Sequence, residues 1–132
     1  MTRFLSVDDV NRLHDLTISR HGGSAGIRDS ALLDAAVAMP MQSFGGQYLH
    51  EGIAAMAAAY LYHICQAHAY VDGNKRTAAL ASLVFLTVND TGPLPSPVEL
   101  ERVTMAVARG ETSKGKLVEW FVASLDPGPE TS

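Results

Sequence analysis

Apolar residues recur at helical spacing along most of this chain, and no convincing strand-like alternation is found. Ser6 and Asp9 form a capping-box pair, and Val7, Val10, Leu13 and Leu16 follow at steps of three residues. That pattern predicts a helix ending before Gly22-Gly23. Asp29 or Ser30 can cap a short helix through Leu33 and Val37, stopped by Pro40. From about Glu51 to Ala67, Ile53, Met56, Ala57, Tyr60, Leu61 and Ile64 make an apolar stripe, and the opposite face is alanine-rich. A helix apolar nearly all round is a central one. Residues 75–88 predict a second such helix, ended by Asn89, Gly92 and Pro93. Ser96-Pro97-Val98-Glu99 reads as a capping box with proline at the first helical position, opening a helix to about Arg109. Leu117, Trp120, Phe121 and Leu125 predict the last helix.

Between the second and third helices, Phe44-Gly45-Gly46-Gln47-Tyr48 reads as a loop or small hairpin. The expected fold is all-α: one compact domain of about six helices over residues 1–125, with a polar, Pro- and Gly-rich tail over 126–132.

A length of 132 residues fits one domain with a sizeable core, and 47% hydrophobic with 18% charged residues is an ordinary globular balance. A net charge of −4 removes the general basic footprint of a nucleic-acid binder. The single cysteine, Cys65, lies in an apolar stretch and reads as a small buried hydrophobe. With no secretory h-region and no apolar run long enough to span a membrane, the expectation is a soluble, cytoplasmic protein. His14, His21, His50 and His63 show no metal-ligand spacing with His68, and Trp120-Phe121 reads as core.

The most polar piece of the middle of the chain joins the two most apolar helices: His68-Ala69-Tyr70-Val71-Asp72-Gly73-Asn74-Lys75-Arg76. It breaks a local rule. Cations are disfavoured in the first turn of a helix, where the dipole is already positive and backbone N–H groups are unpaired. Lys75 and Arg76 make sense there if an anion occupies the point, and a Gly-containing helix start with two cations is a phosphate site. Gly73 lets the backbone approach a ligand, and Asn74 can donate to a phosphate oxygen. Lys75 and Arg76 can neutralise charge that develops during transfer. Asp72 is a hard oxygen ligand suited to one Mg²⁺, and His68 can take a proton from an attacking hydroxyl. Taken singly, each has a plainer reading: a helix-end histidine, an Asp-Gly-Asn turn, a solvated Lys-Arg face. Taken together at fixed offsets, they are on the order of a one-in-a-million accident per start point, at roughly 5% usage per residue type.

At these residues the chain resembles the Fic/Doc family, whose motif runs H-x-F/Y-x-D-G/A-N-x-R against HAYVDGNKR here. The likeness extends to TAALASLVFL after the motif, and to Gly26-Ile27-Arg28-Asp29, Pro40 and Phe44-Gly45-Gly46 before it. The resemblance implies a helical fold, ATP with Mg²⁺, and modification of a protein hydroxyl. It carries the base onto His68, the metal carboxylate onto Asp72, and the phosphate contacts onto Gly73, Asn74, Lys75 and Arg76. It also places a target-docking flap at Phe44, Gly45, Gly46, Gln47 and Tyr48. The role of Arg28 and Asp29 stays open.

AMP-transferring members usually have Gly where Lys75 stands, and a further Arg where Ala79 stands. Doc-type toxins have the Lys and lack that Arg. They resemble kinases that place the γ-phosphate of ATP on a threonine of the translation factor elongation factor Tu. The expectation is therefore such a kinase, held in check from outside by a small antitoxin, since no internal inhibitory motif is present. The alternatives are an AMP transferase using the same loop, or an inactive nucleotide- or partner-binding module.

Overall fold

The structure, a computed structural model, describes residues 1–126; the tail expected to fray lies, beyond Asp126, outside them. Six α-helices follow in order: α1 Val7–His21, α2 Ser30–Ala38, α3 Gly52–Ala67, α4 Asn74–Val88, α5 Pro97–Ala108 and α6 Lys114–Leu125. A 3₁₀ turn at Met39–Met41 and two short strands, β1 Ser43–Phe44 and β2 Gln47–Tyr48, stand between α2 and α3.

The helix starts obey local chemistry. The Ser6–Asp9 capping box forms in both directions, and Asp29 is the residue that caps α2, accepting from the Leu32 N–H. At α5 only half of the expected box forms. Ser96 accepts from the Glu99 N–H, while the Glu99 carboxylate turns outward to Arg102. The β1–β2 turn is Gly45-Gly46 with φ of 60° and 81°, and the pair closes in the register Ser43↔Tyr48, Phe44↔Gln47. Two successive positive φ values match the right-handed twist of a tight hairpin, and glycine takes them without strain.

The core sits around α3, which packs against α4, α6 and α2. Ala57, Ala58 and Ala59 of α3 and Ala78 and Ala81 of α4 are fully buried. Side chains this small let two helix backbones approach closely, and Phe85, Leu61, Leu117 and Phe121 fill the spaces beside them. The N-terminal segment is tied to the same core. The Leu5 N–H donates to Tyr60 Oη at 2.8 Å, and the Asn89 side chain brackets the backbone of Arg3.

On α1 the buried face is phased differently from the apolar pattern. Steps of three residues drift around a helix of 3.6 residues per turn. Leu16 is consequently exposed, and the packed face runs through Val10, His14 and Thr17. Two polar side chains thus turn inward, and His14 meets the loop that joins α3 to α4.

Candidate active site

The α3–α4 loop is held from three directions. At its start, His68 ends α3 in the left-handed conformation, φ 48° and ψ 42°. Its carbonyl accepts the Arg28 Nε–H at 2.8 Å, and the Ala69 carbonyl accepts the N–H groups of Arg28 and Asp29. The Val71 N–H donates to the Gly26 carbonyl, so Ile27 and Tyr70 form an antiparallel bridge. Arg28 and Asp29, left open by sequence, are thus the loop's lateral support.

The loop is also closed on itself. Asn74 Oδ1 accepts from the Tyr70 N–H at 3.0 Å, and its Nδ2 donates to the Tyr70 carbonyl at 2.9 Å. Asn74 is therefore first a clamp, with one amide hydrogen left over for a phosphate oxygen. The third support is α1. The His14 and Tyr70 rings stack at 3.8 Å and 5°, and the Tyr70 hydroxyl donates to Asn11 Oδ1 at 2.6 Å. Burial pushes the Tyr70 phenol up, well above its ordinary range, so it stays protonated and a donor.

Asp72 is exposed beside Gly23. Its Oδ1 accepts from the Gly73 N–H at 2.9 Å and its Oδ2 from the Ser24 N–H at 3.2 Å. A Cβ on Gly23 would lie 2.5 Å from Asp72 Oδ2, at a backbone φ of +113°, so only glycine lets this carboxylate rest there. Each carboxylate oxygen keeps a free lone pair. Among the described residues no group of three His, Cys, Asp or Glu side chains converges here. One open carboxylate fits a Mg²⁺ that takes its remaining ligands from water and phosphate, and does not fit a caged ion.

Gly73, at φ 78°, is the N-cap of α4, and no side chain caps the N–H groups that follow. Lys75 and Arg76 stand in that first turn, and among the described residues neither forms an ion pair with a carboxylate. The two cations therefore stand beside N–H groups that no side chain caps. His68, Asp72, Gly73, Asn74, Lys75 and Arg76 all line one cleft of about 940 Å³, within the range of small-ligand sites. α1 contributes Arg20 and His21 to its rim, and α5 forms the far wall with Leu100, Glu101 and Met105. Although the chain is acidic overall, this cleft gathers Arg20, Lys75 and Arg76 against Asp72 and Glu101. Low-dielectric walls focus such a field on an entering anion.

Phe44 to Tyr48 do not join this group. The hairpin forms, but Tyr48 packs edge-on against Phe4, which stacks on Phe85, roughly 16 Å along α4 from the loop at 1.5 Å per residue. None of the five residues lines the cleft. The segment that runs beside the loop is Gly23–Asp29. Burial raises the Cys65 thiol, which keeps it a neutral packing group, as its apolar context implied.

His14, Asn11, Gly23 and Ser24 were not singled out by sequence. A polar residue at i+4 from Val10 on an otherwise packed face was the available signal for His14.

A helical domain in which a polar interhelical loop joins a histidine, an open carboxylate and an uncapped, doubly cationic helix start has the donors and charges to hold a phosphate group. The chain belongs to the Fic/DOC family, whose model matches residues 4–86. It is 31% identical over 117 residues, 89% of this chain and 91% of the relative, to the protein kinase Doc of Escherichia phage P1. It is 40% identical over 89 residues, 67% of this chain and 66% of the relative, to the toxin Doc of Mycolicibacterium smegmatis.

Proposed function

We propose that this chain is a Doc-type toxin, a protein kinase that moves the γ-phosphate of ATP to a threonine hydroxyl of a translation factor, elongation factor Tu by resemblance. The observation that carries the reading is the first turn of α4. Lys75 stands in the cleft beside the uncapped N–H groups, and Ala79, one turn on, lines the cleft without charge. A polyphosphate running over the helix start would meet the Lys75 side chain and find no cation at 79, so the terminal phosphate is the one presented to His68. The kinase name of the phage relative supports the same assignment.

In this reading His68 takes the proton of the target hydroxyl, whose oxygen bonds to the γ-phosphorus. The bond from that phosphorus to the β-phosphate oxygen breaks, and ADP leaves with its charge held by Lys75, Arg76 and the α4 N–H groups. Asp72 would hold Mg²⁺, which supplies charge neutralisation between the phosphates.

Docking of the target segment finds better support at Gly26–Arg28 than at the hairpin. The Gly26 carbonyl and Arg28 N–H face the loop, so the Ile27 N–H and carbonyl point the other way. Ile27 and Val71, on either side of the Ile27–Tyr70 bridge, are exposed apolar residues at 46% and 55%. An open edge flanked by apolar side chains suits an extended peptide. A small antitoxin protein would neutralise the toxin in its host. No helix among the described residues is long and apolar enough to cross a membrane.

Growth tests the reading. Expression in a bacterial strain shown to lack the antitoxin should arrest division, and the Asp72→Ala variant should be tolerated. Normal growth with wild-type protein at the same level would count against a toxin.

A further inference from the structure

His14 is 3% exposed, and a ring buried that deeply needs a partner for its polar edge. Its Nε2 lies 2.8 Å from the Asp72 main-chain oxygen. A carbonyl can only accept, so Nε2 carries a proton and donates it to this bond. The ring lies flat on Tyr70, whose hydroxyl is bound by Asn11. A Cβ on Gly73 would stand 3.5 Å from His14 Cδ2 and Nε2. One face of α1 thus holds three successive features of the loop: the Tyr70 ring, the Asp72 carbonyl and the Gly73 turn.

The Asp72 peptide is pinned at its carbonyl by His14, and its carboxylate is pinned by the Gly73 and Ser24 N–H groups. Releasing the carbonyl frees the peptide to rotate and takes the carboxylate with it. His14 lies under the loop and reaches the reaction only through Asp72. We propose that His14 is a positioning residue: by donating from Nε2 to the Asp72 carbonyl, it sets the direction in which the Asp72 carboxylate faces the cleft, and so the loop's affinity for a divalent cation bound with nucleotide. The inference rests on the reading of Asp72 as the metal carboxylate of a nucleotide site.

Methionine and glutamine are close in shape, and only glutamine can donate where His14 Nε2 does. Calorimetric titration of ATP, with and without Mg²⁺, into folded wild type, His14→Gln and His14→Met isolates the donor. Loss of an outer-shell partner weakens metal binding about 10–100-fold. His14→Met should lose apparent Mg²⁺ affinity to that extent, keep its Mg²⁺-free ATP affinity within about twofold, and be rescued by Gln. Equal Mg²⁺ affinity in the Met and Gln variants overturns the proposal. The nitrogen spectrum of the wild-type imidazole is a second reading that needs no variant. It should show the Nε2–H tautomer and a shift of that proton when Mg²⁺ and ATP are added. An Nδ1–H tautomer, or an Nε2–H signal that does not move although nucleotide binds, is equally contrary. If wild type binds no ATP under any condition, the nucleotide reading is what fails, while the tautomer still reports on the His14 bond.

Discussion

A histidine at φ 48° is uncommon, though His tolerates the left-handed region better than most residues with a Cβ. At His68 that conformation ends α3 and turns the side chain into the cleft, while the structural work is done by its carbonyl on Arg28. Chemistry and structure are therefore separable at this residue. Asparagine also tolerates the left-handed region and cannot serve as the base. His68→Asn should lose about 10²–10⁴-fold in transfer rate with an unchanged thermal midpoint. Steady-state transfer alongside a melting curve checks this, and full activity in the folded variant removes His68 from the mechanism. At Asn74 the same separation does not hold. Its amide brackets Tyr70, so its replacement would loosen the loop before it could report on phosphate.

Among the elements, α4 carries the conflict that function resolves. Its first turn holds two cations with no carboxylate partner among the described residues, against the helix dipole. Removing one should raise the stability of the nucleotide-free protein slightly and weaken ATP binding. Lys75→Ala and Arg76→Ala, compared by denaturant melts without ligand and by ATP titration, test the pairing of those opposite signs. Unchanged ATP affinity in both ends the anion-site argument. This conflict was legible in sequence because it is local: helix period, glycine and charge lie within ten residues. The caps at Ser6 and Ser96 were legible for the same reason, although the Glu99 half of its box went to Arg102, a competitor one turn away. What sequence could not show is which elements meet the loop. The family resemblance put the docking flap at Phe44–Tyr48, and in the folded chain the Tyr48 ring packs on Phe4. Gly23–Asp29 reaches the loop instead, because α2 returns along α3 and brings Asp29 beside Ala69. His14 and Asn11 escaped notice because their partners, at Asp72 and Tyr70, are close only after folding.

At the scale of the whole molecule, the cleft lies where α1, α4 and α5 converge, and a second polar cluster stands outside its lining. His63, on α3, accepts from Lys114 Nζ at 2.9 Å, and His50 stands beside it. Burial, then the Lys114 charge, then His50 hold His63 down at about 4, and burial with Lys114 lowers His50 as well. The unfolded chain takes up protons near pH 6.5 that the folded one refuses, so stability is complete above that point and falls as pH drops toward 4. His63→Gln keeps an acceptor for Lys114 and does not titrate. Its unfolding free energy in urea should decline less than that of wild type across this window, and parallel curves would show that His63 is not a source of the acid sensitivity. None of this touches the phosphate chemistry, which turns on orientation in the cleft. An N–H nest binds any phosphate, so in the proposed reading Lys75 and Ala79 decide which phosphorus faces His68. Incubating the protein and a bacterial lysate with ATP labelled at either the γ- or the α-phosphate reads that choice directly. Label should pass to a target protein from the γ position and not from the α position; transfer of the α label alone would make the chain a nucleotidyl transferase and contradict the kinase assignment.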